Sequence, residues 1–183
     1  MEQAIISGVA ADNSEAKITI EDVPDRPGIA AAIFRAVADE GAGVDMIVQN
    51  VGRDGKADMS FLVPKADLRR ISAVIERVVG EVGGARHWID DDVARVSLVG
   101  AGIKSHPAVV AEMFAALAEE GINIEMISTS SIRISCVVRG DDARSAVQAV
   151  HRKFGLSEEA VTSPRDQHER EHVVGESRGQ ETT

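Results

Sequence analysis

Residues 25–46 read DRPGIAAAIFRAVADEGAGVDM, and residues 105–126 read SHPAVVAEMFAALAEEGINIEM. With Pro27 set on Pro107, an offset of 80, Ala30 meets Val110, Phe34 meets Phe114, Gly41 meets Gly121, Asp45 meets Glu125 and Met46 meets Met126. Further along the offset falls to 75, so that Val63 meets Val138 and Asp67 meets Asp142. The residues lost lie in a turn, VGRDGKAD, where length changes disturb few buried contacts. A self-similarity of this length means two copies of one supersecondary unit, and it constrains the fold before any other feature does.

Within the first copy, AKITIEDV (16–23) alternates apolar and polar residues as a half-buried strand does. DRPG interrupts it, and Pro27 suits the first position of a helix. Ile29, Ile33, Phe34 and Val37 follow at helical spacing, and Gly41 ends that helix. VDMIVQNV and ADMSFLVP form the next two strands. Asp67 caps a second helix through LRRISAVIERVVGEV, Gly83 and Gly84 stop it, and RHWID is a short fourth strand. The order βαββαβ is the ferredoxin-like split unit of an α+β fold. The second copy supplies three strands and two helices, the last running from Asp142 to about Lys153, and then lacks a fourth strand. A spare strand, AIISGVA (4–10), precedes the first copy, and an open edge in a small sheet is a liability. The expectation is that residues 4 to 9 close the second sheet, so that the first unit (16–93) is inserted into the second (1–15 plus 94–160). EEAVTSP is the rival source of that strand. Residues 161–183, polar and charged, read as a disordered tail.

Composition excludes several classes of function. The chain has 183 residues, a net charge of −10, and aromatic residues at only 3% with no Tyr. It lacks both the basic footprint of nucleic-acid or anionic-membrane binding and the aromatic platforms on which single strands stack. No apolar run reaches membrane-spanning length and MEQAIISGVA is no signal peptide, so the expected location is the cytoplasm. Cys136, the single cysteine, reads as a buried structural residue.

Several stretches imitate chemistry. HEREH (168–172) matches a zinc-protease pattern but sits in a polar tail without helical periodicity. In VGAGIKSH, Ile103 separates Gly102 from Lys104 and Ser105 replaces the third glycine of a dinucleotide loop, so neither phosphate-binding pattern holds. Gly100 and Gly102 are read as a sharp exit from a strand close to a neighbour. His106 lacks a nucleophile and an orienting acid, Trp88 reads as a packing anchor, and Asp90, Asp91 and Asp92 as a solvated linker. No catalytic set, cofactor or metal site is expected.

The turn that opens the repeat carries the remaining chemistry. Gly28, Ile29 and Ala30 offer backbone N–H groups at a helix start, which favour an anion such as a carboxylate. Asp25 beside them can hold an ammonium, and Gln49 on the following strand can donate and accept. Together they suit a zwitterion. The alternative is that Asp25 caps its helix and Gln49 is a surface residue.

On the stretches SEAKITI, DRPGIAAAIF, VDMIVQNV, VARVSLVGAGIKSHPAVVAEMFAAL and INIEMISTSSIRIS, the chain resembles the C-terminal regulatory part of aspartokinase, a pair of ACT domains. The resemblance covers about residues 4 to 155, and in that family too the first ACT unit lies inside the second. It implies a regulatory β subunit without chemistry of its own, partnered as a homodimer with a catalytic α subunit in an α2β2 kinase. The implied function is feedback control of aspartate phosphorylation by threonine, with lysine, bound between ACT units of two chains. Carried onto this sequence, one half-site comprises Asp25, Arg26, Pro27, Gly28, Ile29, Ala30, Gly43, Val44, Asp45 and Gln49. The other comprises Val109, Val110, Asn123, Ile124, Ser130 and Ser131, of which Ser131 departs from the Glu of many relatives. Because Ala108 replaces Gly28, the second unit is expected to bind weakly or to wall the first site. A free-standing ACT sensor that controls another enzyme or a transcription factor is the other reading.

Overall fold

The computed structural model describes residues 5–52, 54–84 and 86–156. The rival strand EEAVTSP, the HEREH stretch and the expected tail lie outside the described residues.

The elements run β1 (Ile5–Asp12), β2 (Glu15–Pro24), α1 (Ile29–Asp39), β3 (Asp45–Val51), β4 (Lys56–Pro64), α2 (Leu68–Val82), β5 (Arg86–Asp90), β6 (Val93–Ala101), α3 (Pro107–Glu119), β7 (Met126–Thr129), β8 (Arg133–Arg139) and α4 (Ala143–Lys153). They form two four-stranded sheets, ordered β3-β4-β2-β5 and β1-β6-β8-β7. The spare N-terminal strand joins the second sheet: β1 runs antiparallel to β6, with Val9 opposite Leu98 and Asp12 opposite Arg95. The first unit is thus inserted between β1 and β6. At Gly100 a Cβ would overlap the Ile5 carbonyl oxygen, so only glycine lets β1 lie this close.

Each sheet carries its two helices on one face. In the first unit Ile33 and Val37 of α1 and Ile71 and Ile75 of α2 pack on Ile18, Ile20, Phe61 and Val63. Phe34 meets Phe61 edge to face, with ring centroids 5.0 Å apart. In the second unit Met113, Leu117 and Val150 pack on Val9, Val96, Leu98, Ile134 and Cys136. Burial pushes the Cys136 thiol up to about 12, as expected of an inert structural cysteine.

The faces without helices meet at one corner, where Met46 and Leu62 of the first sheet pack with Val93, Met126 and Val137 of the second. Ion pairs surround this cluster. Lys17 reaches Glu125, and Arg95 reaches Asp45. Arg95 also lies 3.1 Å from Glu15 and 3.4 Å from Asp12, where the chain crosses from the second sheet to the first. Arg139 grips the return crossover, 2.6 Å from Asp90 and 2.8 Å from Asp92, and also pairs with Glu125 at 3.2 Å.

Four local expectations need correction. The first helix begins at Ile29, not Pro27, because Gly28 takes the N-cap position with φ 98. Asp67 precedes α2 but makes no side-chain cap hydrogen bond; its carboxylate pairs with Arg70 instead. The solvated linker expected at Asp90, Asp91 and Asp92 is only part of the picture: Asp91 and Asp92 are exposed, but Asp90 is half-buried and both Asp90 and Asp92 pair with Arg139. Trp88 is no packing anchor: β5 turns Ile89 toward the first core and Trp88 to the opposite face, where it is 42% exposed.

Candidate functional site

The turn between β2 and α1 forms one wall of an open cleft of about 450 Å³, lined by residues 23–30 together with Gln49 and Met59. Its shape follows from three local facts. The Asp25 N–H donates to the Gly55 carbonyl (2.9 Å), which ties the turn to the β3–β4 hairpin. Gly28 adopts a left-handed backbone that side-chain-bearing residues avoid. Gln49 stands opposite Met59 in the β3–β4 ladder and so faces the helix side of the sheet.

The polar groups of this cleft are largely unspent. The Ile29 N–H turns back to the Arg26 carbonyl at 3.4 Å, but the Gly28 and Ala30 N–H groups have no backbone acceptor among the described residues. Gly28 supplies no side-chain cap, and Asp25 does not serve as one. The Asp25 carboxylate and the Gln49 amide pair with no described residue. An uncapped helix start attracts an anion, and a free carboxylate beside it attracts a cation.

The repeat builds a second cleft of about 420 Å³, lined by Ile103, Lys104, Pro107, Val110, Thr129, Ser130 and Ser131. Ile103 stands where Val23 does in the first copy, and Thr129 where Gln49 does. Its turn is closed differently. The Ser105 and His106 N–H groups bond to Gly102 and Ile103 in a tight 3-10 turn, and Val109 bonds to the His106 carbonyl. Pro107, which has no N–H, is the first residue of α3. The Ala108 and Val110 N–H groups, the counterparts of those of Gly28 and Ala30, likewise have no backbone acceptor among the described residues, so the two clefts differ in their side chains: Lys104 lines this one where the first has Pro24 and an acid, Asp25, beside it.

Of the residues singled out from the sequence, Asp25, Arg26, Pro27, Gly28, Ile29, Ala30 and Gln49 line the first cleft. Gly43, Val44 and Asp45 do not. Gly43 is exposed beside Pro64, Val44 packs against the first core, and Asp45 turns to Arg95. Val110, Ser130 and Ser131 line the second cleft, while Val109 is buried in the second core, Ile124 packs on it and Asn123 is exposed. Within one chain the two sets therefore belong to two separate clefts. Sequence reasoning missed Val23, Pro24 and Met59 in the first lining and Ile103, Lys104, Pro107 and Thr129 in the second. The repeat offset could have found Thr129 from Gln49.

The electrostatics between the units add one feature. Burial, followed by the neighbouring charges, pushes the Glu15 carboxyl above its ordinary range despite Arg95. Its Oε2 is buried and lacks a hydrogen bond, since the nearby Arg95 Nε is not aimed at it. Burial also acts on Asp12, but hydrogen bonds from Ser14 and the charge of Arg95 outweigh it and leave that carboxyl below its usual range. Among the described residues no group of His, Cys, Asp or Glu could hold a metal ion, and no helix is long and apolar enough to cross a membrane.

Comparison with known proteins agrees with this architecture. Two ACT domain models match, over residues 18–81 and 96–154. The aspartokinase of Corynebacterium efficiens is 46% identical over 158 residues, which are 85% of this chain but only 38% of that protein. The regulatory subunit of aspartate kinase from Thermus thermophilus, solved in a ligand-free form, is 43% identical with a TM-score of 0.78, over 82% of this chain and 99% of that one. A chain in a structure of aspartokinase alpha and beta subunits is 42% identical with a TM-score of 0.77, over the same shares. The chain therefore belongs to the aspartokinase family, and what it carries is the regulatory part of that family, a tandem pair of ACT domains, rather than the catalytic domain.

Proposed function

We propose that the first cleft is the effector site through which this chain regulates an aspartokinase. The carrying observation is the set of open groups at one turn: the Gly28 and Ala30 amides, the unpaired Asp25 carboxylate beside them, and the Gln49 amide across the cleft. A free amino acid offers the matching pattern, with its carboxylate for the amides and its ammonium for Asp25. Threonine also brings a hydroxyl that Gln49 can bond, and lysine is the second effector.

Each cleft includes a residue of an outer strand, β3 or β7, and both strands lie at sheet edges. Ile47 and Val51 on β3 and Ile127 on β7 are exposed there. Unpaired edges with apolar side chains favour a second chain. In the homodimer the side of one chain that presents Val110, Asn123, Ser130 and Ser131, backed by the core residues Val109 and Ile124, completes the Asp25 cleft of the other. A ligand bridging two chains stabilises the assembly that contains the bridge. If that assembly holds the catalytic subunit inactive, effector binding inhibits aspartate phosphorylation in the cytoplasm. The related structure with alpha and beta subunits supports such a catalytic partner.

Titration calorimetry with threonine, lysine and methionine tests the reading. Heat with threonine, lost by about tenfold or more in affinity in Asp25→Ala and in Gln49→Ala, supports it, since each substitution removes a charged or polar contact. No heat with any of the three overturns it.

A further inference from the structure

Asp45 and Met46 form the turn into β3, and the backbone there is unusual. The β3–β4 register slips by one residue between Asp45 and Val48. Met46, inside the slip, holds φ 50, a left-handed conformation that side-chain-bearing residues avoid, whereas its repeat counterpart Met126 does not. Something must hold it. Its side chain is 7% exposed in the cluster between the units. Its N–H donates to Asp45 Oδ1 (2.7 Å), and the other carboxylate oxygen of Asp45 accepts from Arg95 of the second sheet. Arg95 in turn holds Glu15 and Asp12 at the crossover between the units.

The same turn controls the first cleft from its other side. Side chains alternate along a strand, so the one-residue slip decides which face Gln49 presents. Val44, directly before the turn, packs on the core that also holds Ile29 and Ala30. The cleft and the crossover therefore share one short, strained segment. A packed segment with a discrete arrangement can carry coupling between two places.

We propose that the Asp45–Met46 turn couples occupancy of the first cleft to the setting of the two units, with Asp45 acting as a positioning residue through Arg95 rather than as a contact to the effector. This rests on the reading of the first cleft as an effector site. The device belongs to the first unit alone, because Glu125 at the equivalent turn is held by Lys17 and Arg139 without a left-handed residue.

The test uses the full 183-residue chain, threonine as ligand, and Asp45→Asn, Arg95→Gln and their double variant. Calorimetry reads affinity, and hydrogen exchange at residues 12–15, which line neither cleft, reads the crossover. In the parent, threonine changes exchange at 12–15. Each single substitution weakens binding about fivefold or more and abolishes that change, and the double variant binds no worse than the weaker single. Losses that multiply in the double variant, or a response at 12–15 that survives Arg95→Gln, overturn the proposal. Arg95→Lys keeps a cation among the carboxylates and takes the place of Arg95→Gln if the latter does not fold. A parent chain that gives no heat with threonine or lysine overturns the effector reading itself, and the coupling with it.

Discussion

Asp45 and Glu125 occupy the same position in the two repeats, and each carboxylate is held by a cation from the opposite unit. Arg95 on β6 reaches Asp45, and Lys17 on β2 reaches Glu125. Lys17 and Arg95 are themselves equivalent, since they stand opposite the repeat-related Leu62 and Val137 in their sheets. The two units are thus joined by reciprocal ion pairs about a pseudo-twofold axis, with a small apolar cluster between them.

The first prediction concerns Arg95, which is 13% exposed and faces three carboxylates. Removing one partner from a buried ionic cluster leaves uncompensated charge and costs about 3–5 kcal/mol. Arg95→Gln should therefore lower unfolding stability by about 3 kcal/mol in urea denaturation. Arg77→Ala, which breaks an exposed pair with Glu81 on α2, should cost about 0.5 kcal/mol or less. Equal losses would mean that the inter-unit cluster is not energetically special.

A second prediction follows from Glu15. Burial raises its carboxyl above the ordinary 4.5, so the folded chain binds that proton more readily than the unfolded chain. Its contribution to stability therefore grows as pH falls from neutral toward 4.5. Asp12 and Asp90 are held below their ordinary 3.8, so their contribution is present above that value and is lost as pH falls below it. Stability should pass through a maximum in mild acid. Glu15→Gln should remove the rise on the acid side of neutrality and leave the loss at lower pH; an unchanged profile would refute the assignment.

Two glycines should differ in what their replacement damages. Gly28 has φ 98 but open space around its missing Cβ, so Gly28→Ala should cost about 1–2 kcal/mol by backbone strain alone and weaken effector binding. Gly100→Ala should cost about 1–3 kcal/mol by overpacking, because the new methyl group meets the Ile5 carbonyl and Ile6 Cα. Hydrogen exchange should show the second loss as faster exchange in β1, with the first sheet unaffected.

Effector binding should also appear as thermal stabilisation. Threonine at about 100 times its Kd should add about 2.7 kcal/mol to the stability of the bound form. Asp25→Ala should abolish most of that gain, while Arg77→Ala, on the exposed side of α2 and lining neither cleft, should leave it in place. A scanning-calorimetry series reads both, and equal losses of the gain would mean that the first cleft is not where threonine binds.

Much of this architecture is legible in the sequence because the repeat carries it. Strand β5 was expected at RHWID and lies at Arg86–Asp90. The missing strand of the second copy pointed to residues 4 to 9, and β1 is there. What escaped was long-range or strained. No periodicity marks Lys17 and Glu125 as partners 108 residues apart. Pro27 looked like a helix start, but the left-handed Gly28 delays α1 to Ile29. The first wall of the cleft is a contiguous motif and could be read directly, whereas Met59 enters it only through strand pairing.

The insertion of one unit into the other also sets an order of manufacture. Strand β1 leaves the ribosome well before its partner β6, which begins only at Val93. During synthesis the first unit can close completely while β1 waits unpaired, with Ile5, Val9 and its open amides accessible. That interval leaves an apolar strand edge open to aggregation, and slowing elongation between residues 12 and 93 should lengthen it.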